Sequence, residues 1–217
     1  MFIELVDALR CPRPHEESWL VASTERMEAR QIVEGTLGCP VCHAEYPVCA
    51  GVVDLSGGVR WPAAAPRSSS AGDAVRLAAL LDLSDAMGFA VLLGDWGSHA
   101  SSLQALVDCP LVLVDPPDDV GAGPGVSILR TAGEIPIASG AARAIAIDVG
   151  NLPGDHGQRV ASAVRATRAG GRIVGPATLP LPDGARELAR DRDGWVAERE
   201  ASPLPLVTLH VRRGARG

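Results

Sequence analysis

The sequence predicts an α/β protein in two units, a small cysteine-bearing one and a larger one built on a mostly parallel sheet. Three observations predict it. Three of the five cysteines lie between positions 39 and 49, a Gly/Pro/Ala/Ser-rich linker breaks every apolar period over residues 56–73, and short apolar β runs alternate with helical patterns from residue 74 onwards. A chain of 217 residues suffices for one domain of ordinary size with a smaller attachment. The units read as 1–55, a linker over 56–73, and 74–217.

FIELVDAL (2–9) has apolar residues at helical spacing, and SWLVA (18–22), RQIVEGTL (30–37) and EYPVCAGVVDL (45–55) read as short strands with cysteines at the tips of turns. DAVRLAALLDL (73–83) is an amphipathic helix with Asp73 as its N-cap. The alternation continues with strand FAVLLG (89–94), helix SHASSLQALV (98–107), strand PLVLVD (110–115), a Pro/Gly-rich connection, and strands VSILR (126–130) and AIAIDV (144–149). Helix GQRVASAVRATRA (157–169), strand RIVGP (172–176) and helix DGARELARD (183–191) follow. The runs GWVAERE (194–200) and LVTLHVRR (206–213) are expected to form an antiparallel hairpin at the sheet edge.

Composition narrows the function classes. With 47% hydrophobic and 21% charged residues the chain is globular. All 20 basic residues are arginine, a coding bias, so an arginine here is not by itself a sign of bidentate recognition. A net charge of -6 gives no electrostatic footprint for nucleic acid. The absence of a long uncharged apolar run and of a basic, apolar opening leads to the expectation of a soluble cytoplasmic protein without a membrane segment. An odd number of cysteines in such a chain points to metal rather than to disulfides.

Cys39-x-x-Cys42 lets two thiolates from one tight turn reach the same ion, and LRCPRPHEE supplies Cys11 and His15. The four make a Cys3His tetrahedron suited to structural zinc, which would hold together a unit with little core. The stretches ALRCP and GTLGCPVCHAEYPVCAGVVDL resemble the zinc-ribbon subunit that activates transfer-RNA and release-factor methyltransferases, over residues 1–55. The resemblance implies that Cys11, Cys39 and Cys42 are metal ligands and that Tyr46-Pro47 is the family's Tyr-Pro. His15 departs from it by standing in place of a cysteine, and His43 and Cys49 are the substitutes to weigh for the fourth ligand. Cys109, at the mouth of a strand, reads as a buried inert thiol. Residues 1–55 carry nine acids against four arginines, a balance that suits docking or bracing by protein rather than a grip on RNA.

From residue 74 the landmarks AVLLGDWGS, LVLVDPP, AGEIPIASGAARAIAID and RATRAGGRIVGP occur in that order, and together they resemble a class I S-adenosylmethionine-dependent methyltransferase. The resemblance implies a Rossmann-like fold with a mostly parallel seven-stranded sheet and an antiparallel edge hairpin. It also implies cofactor positions. Gly94 falls on the first glycine of the cofactor loop, Trp96 and Ser98 on the second and third, and a slip of one residue would bring Gly97 into use. Asp115, 21 residues after Gly94, matches the acid that bonds the ribose hydroxyls, or else it begins a turn before Pro116-Pro117. Thr131 occupies the adenine-binding acid's position, and Ala142-Arg143 replaces the family's Phe-Asp.

An indole at position 96 would project into the cofactor cavity or force the loop open, because glycine serves there to let backbone approach the ligand. Asp148, Asn151 and His156 follow the fourth strand where relatives contact the acceptor, yet they also read as strand-end and first-turn residues. His99 reads as an exposed helix residue, and Trp19, Trp61 and Trp195 as ribbon core, linker anchor and sheet edge. Two functions follow. One is a non-catalytic methyltransferase-like protein whose degenerate site binds no S-adenosylmethionine, working with a protein partner or as a homo-oligomer. The other is an active methyltransferase acting on RNA, protein or a small molecule, with Gly94, Gly97 and Asp115 holding the methyl donor.

Overall fold

The computed structural model describes residues 1–59, 71–84, 87–150 and 155–201. Trp61, Asn151, LVTLHVRR and most of the linker lie outside the described residues. The strands are β1 (Val21–Glu28), β2 (Gln31–Gly38), β3 (Glu45–Cys49), β4 (Val52–Leu55), β5 (Ala90–Leu93), β6 (Leu111–Val114), β7 (Val126–Thr131), β8 (Ala142–Ala146), β9 (Thr167–Pro176), β10 (Ala185–Arg190) and β11 (Gly194–Arg199). The helices are α1 (Ala71–Leu80), α2 (Ala100–Gln104) and α3 (His156–Ala166), with 3₁₀ helices at Ile3–Ala8 and Gly94–His99. No helix among the described residues is long and apolar enough to cross a membrane.

Among the described residues the strands form one eleven-stranded sheet in the order β1-β2-β3-β4-β7-β6-β5-β8-β9-β11-β10. This corrects the expected seven strands. β4 pairs in parallel with β7, Val52–Leu55 lying against Ile128–Thr131, so the cysteine unit continues the sheet and covers the edge that β7 would otherwise leave open. The centre is parallel and both flanks are antiparallel. β5 bonds in parallel to β6 on one side and β8 on the other, so the strand order reverses there. This α/β arrangement places a topological switch point at the carboxyl end of β5, where such sheets bind ligands.

The strands' period of two sends Val91 and Leu93 to one face of the sheet and Ala90 and Leu92 to the other. α1 and α2 cover the Leu92 face with Leu77 and Leu103, joined by Leu81 from the turn after α1. The Leu93 face is covered by α3 and by the N-terminal segment, where Phe2, Leu5 and Leu9 are buried. Phe2 meets Phe89 at a centroid separation of 6.2 Å, its N–H donates to Ser127 Oγ (3.0 Å), and the Ala138 N–H donates to Ala8 O (2.8 Å). Each such buried side chain contributes about 1.5–3 kcal/mol, so three of them hold the segment firmly against the sheet.

Further sequence expectations change. DGARELARD is strand β10, not a helix. Its helix-favouring composition is overridden by antiparallel pairing with β11, and the Asp191 carboxylate accepts from the Asp193 and Gly194 N–H groups to close the turn. Among the described residues the edge hairpin is therefore β10–β11, while LVTLHVRR, the second run of the expected hairpin, lies outside them. α1 begins at Ala71, which puts Asp73 in its first turn rather than at its cap. Trp19 is 50% exposed, whereas Trp195 is 1% exposed, its Nε1–H donating to Leu179 O (2.7 Å) and its ring lying over Gly175, where a Cβ would come within 2.3 Å.

Candidate metal centre and cofactor cleft

The Cys39–Cys42 knuckle follows β2 directly. The Cys39 N–H donates to Ala44 O (2.9 Å) and the His43 N–H to Cys39 O (3.0 Å), with His43 in the left-handed region at φ 55. Cys11 enters from the end of the N-terminal segment, its N–H donating to Ser18 O (2.9 Å). The donor atoms of Cys11, His15, Cys39 and Cys42 all lie within 4.8 Å of one another. Cys11 Sγ is 3.7 Å from Cys42 Sγ, and Cys39 Sγ is 3.4 Å from His15 Nε2. A tetrahedral zinc would separate two sulfurs by about 3.8 Å and a sulfur and a nitrogen by about 3.5 Å, so the cluster could hold that ion. His43 and Cys49 are exposed and stand outside it.

The surroundings suit these donors. His15 Nδ1–H donates to Glu16 O (2.5 Å), leaving Nε2 to face the sulfurs. Burial opposes ionisation of the Cys39 thiol, but the N–H groups of Cys42 and Val41 near its sulfur bring it down to about 6. Burial pushes the Cys11 thiol up, and the Tyr46 hydroxyl, 3.3 Å from its sulfur, works against that. Cys109 is buried beside Pro110 O, and burial pushes its thiol up, as expected of an inert cysteine.

At the switch point the chain leaves β5 through Gly94 in the left-handed region (φ 66) and winds at once into the 3₁₀ helix. Gly97 packs against the loop that follows β6, where an added Cβ would meet Pro116 Cβ at 2.6 Å. The Trp96 ring lies near His99 at a centroid separation of 5.5 Å and packs on the α1 side of the sheet. Trp96 Nε1 and His99 Nδ1 are buried without a hydrogen-bond partner among the described residues. Burial lowers the pKa of His99, against the pull of the Asp73 carboxylate.

Asp115 adopts φ 48 at the end of β6, its N–H donating to Leu129 O (2.9 Å). Its side chain is 2% exposed and accepts from the Thr131 N–H (2.8 Å), the Thr131 hydroxyl (2.7 Å) and Arg159 NH1 (2.7 Å). Arg159, from the first turns of α3, is fully buried, and its Nε and NH2 have no hydrogen-bond partner among the described residues. Thus Asp115 and Thr131 are brought together, and Arg159 is the residue that sequence reasoning missed. Asp148 accepts from the Gly150 N–H (2.9 Å) in a strand-end turn, and His156 opens α3 beside its cap Asp155.

No family model and no curated protein matches the chain. Solved structures similar to it include methyltransferases. Geranyl diphosphate methyltransferase in complex with SAM is similar at 17% identity over 48% of this chain and 48% of that one, with a TM-score of 0.37. A Methanococcus maripaludis protein assigned as an S-adenosylmethionine-dependent methyltransferase is similar at 9% identity over 66% of this chain and 100% of that one, with a TM-score of 0.41. A chain from the complex between the Haloferax volcanii Trm112 methyltransferase activator and a methyltransferase is similar at 14% identity over 47% of this chain and 50% of that one, with a TM-score of 0.35. The chain therefore spans about half the length of the first and third of these. At these scores the likeness bears on neither ligand nor reaction, and the assignment of the fold rests on the strand order and switch point.

Proposed function

We propose that this chain is a methyltransferase-fold protein whose cofactor cleft is closed from within, and that it is non-catalytic and acts by assembling with a protein partner or a second copy of itself. Residues 1–55 form a zinc-braced unit set against 74–217. The observation that carries this reading is the saturation of Asp115. A ribose-binding carboxylate must be open to two hydroxyl donors, whereas this one is 2% exposed and already accepts three hydrogen bonds, one from a buried guanidinium. Two further features support it: Gly97 is pressed against Pro116, and the acidic balance of residues 1–55 suits a protein rather than a nucleic-acid partner.

The sequence points to the Trp96 indole as the obstacle, and the geometry supports Arg159 in that role, with Thr131 as its accomplice. Isothermal titration of the full chain with S-adenosylmethionine and S-adenosylhomocysteine tests the reading. No binding heat is expected from the full chain, and a gain of binding is expected in Arg159→Ala but not in Trp96→Gly. Micromolar binding by the unaltered chain would overturn the reading in favour of an active methyltransferase.

A further inference from the structure

Beside the four candidate ligands stands a polar residue outside the set. EYPVC folds as β3, where the alternation of inward and outward residues over Glu45–Cys49 turns Tyr46 into the core, and it is 5% exposed. Its register partner is Leu37 in β2, the strand that runs directly into the Cys39–Cys42 knuckle, so the strand pairing that carries the knuckle also fixes the phenol ring. A buried phenol needs a partner for its hydroxyl. Here the partner is the Cys11 sulfur, 3.3 Å away.

Cys11 is the ligand most in need of such a neighbour. Cys39 and Cys42 share one turn, and the Cys39 sulfur faces the N–H groups of Cys42 and Val41. Cys11 comes from a separate stretch of chain, and its sulfur faces the Arg13 N–H and the Tyr46 hydroxyl. Chemistry sets the direction of the second bond. A metal-bound cysteine is a thiolate with no proton to give, whereas a phenol keeps its own at neutral pH, so the hydroxyl donates and the sulfur accepts. Outer hydrogen bonds of this kind orient a ligand and tune the metal that it holds.

We infer that Tyr46 is a positioning residue of the metal centre, its O–H donating to the Cys11 thiolate and holding that sulfur as the ligand that joins the N-terminal segment to the Cys39–Cys42 knuckle. The inference rests on the zinc reading of the cluster proposed above, and it adds a residue that does not itself bind the ion. Tyr46 thus has a task besides filling the core. Without its oxygen the ring would pack as before, but a buried thiolate would lose a donor, and leaving such a group short of partners is costly.

Tyr46→Phe removes that one oxygen and leaves the ring. Zinc affinity of the full chain, measured by competition with a chromogenic chelator, should fall by about tenfold to a hundredfold. With cobalt(II) as the probe, the sulfur-to-metal charge-transfer band should move to longer wavelength, because a thiolate that loses a hydrogen bond gives up electron density more readily. In a Cys11→Ala background Tyr46→Phe should change neither quantity further. Val48→Ala, which thins the same buried face of β3, should lower the unfolding midpoint and leave the cobalt spectrum as it is. A Tyr46→Phe chain that matches the unaltered one in either affinity or spectrum would overturn the inference while leaving the zinc-braced unit standing, and so would a loss that adds in full to that of Cys11→Ala. A band shift reproduced by Val48→Ala would trace the effect to core packing and overturn it too. Failure of the unaltered chain to bind either metal would overturn both this inference and the zinc reading beneath it.

Discussion

The Cys11–His15–Cys39–Cys42 cluster and the Asp115–Thr131–Arg159 network are both knots of polar side chains at the ends of strands, and they differ in what completes them. In the first, four donors converge and none brings a cation, so the thiols crowd one another and a metal ion is the natural partner for soft ligands. In the second, the carboxylate meets a guanidinium from the same chain, and both side chains are withdrawn from water. In the function proposed above, the first arrangement is completed from outside the chain and the second from within it. On that proposal the difference separates a site built to take something up from one built to stay shut.

The largest expected effect breaks the first arrangement. Cys39→Ser/Cys42→Ser should lose the one zinc per chain expected of the unaltered protein by metal analysis and lose about 5 kcal/mol or more of stability, because structural-zinc binding energy is folding energy. Thermal unfolding followed by circular dichroism, with and without a chelator, measures it. A midpoint indifferent to both variant and chelator would remove the contrast. Next comes Arg159→Met, which strands Asp115 as an unpaired buried carboxylate and should cost about 3–5 kcal/mol in urea unfolding. Adding Asp115→Asn should restore part of that loss, so that the two changes are not additive. Additive losses would mean that the pair is incidental.

A smaller effect tests the seam between the loops after β5 and β6. Gly97→Ala places a Cβ 2.6 Å from Pro116 Cβ. It should cost about 1–3 kcal/mol as an overpacking change. Gly121→Ala, where nothing lies within 4 Å, should stay within about 0.5 kcal/mol. If the two variants unfold alike, the seam is slack and the cleft has room to open.

The same contrast governs what the sequence made legible. The knuckle cysteines could be paired because two ligands three residues apart share one turn, and Cys11 with His15 offered the matching pair. The parallel core was legible because β5 and β6 are apolar on both faces. Arg159 was not. It sits in a well-recognised amphipathic helix among many arginines, and its partner is 44 residues away, so nothing local marks it as buried. The β4–β7 pairing joins segments more than seventy residues apart, and two strands of four and six residues carry no sequence signal of who their neighbours are. β10 failed for a third reason: Ala, Leu, Arg and Glu favour helix intrinsically, and only the neighbouring β11 decides otherwise.

The smallest expected effect concerns His99, which belongs to neither cluster and lines a cavity beside Trp96. Its pKa in the folded chain lies below the ordinary 6.5 because burial disfavours the charged ring, and the Asp73 carboxylate only partly offsets that. The unfolded chain therefore takes up the proton first as the pH falls. Stability is unaffected by this group well above its unfolded pKa and is lost as the pH drops through that value towards the folded one. Relative to His99→Gln, the unaltered protein should lose stability in urea between about pH 8 and pH 5, by a modest amount since the ring is only half-buried. Asp73→Asn should enlarge that loss, because it removes the one carboxylate that favours the imidazolium. If it instead leaves the pH dependence unchanged, the Asp73 carboxylate does not act on the ring and burial alone sets the proton affinity of His99.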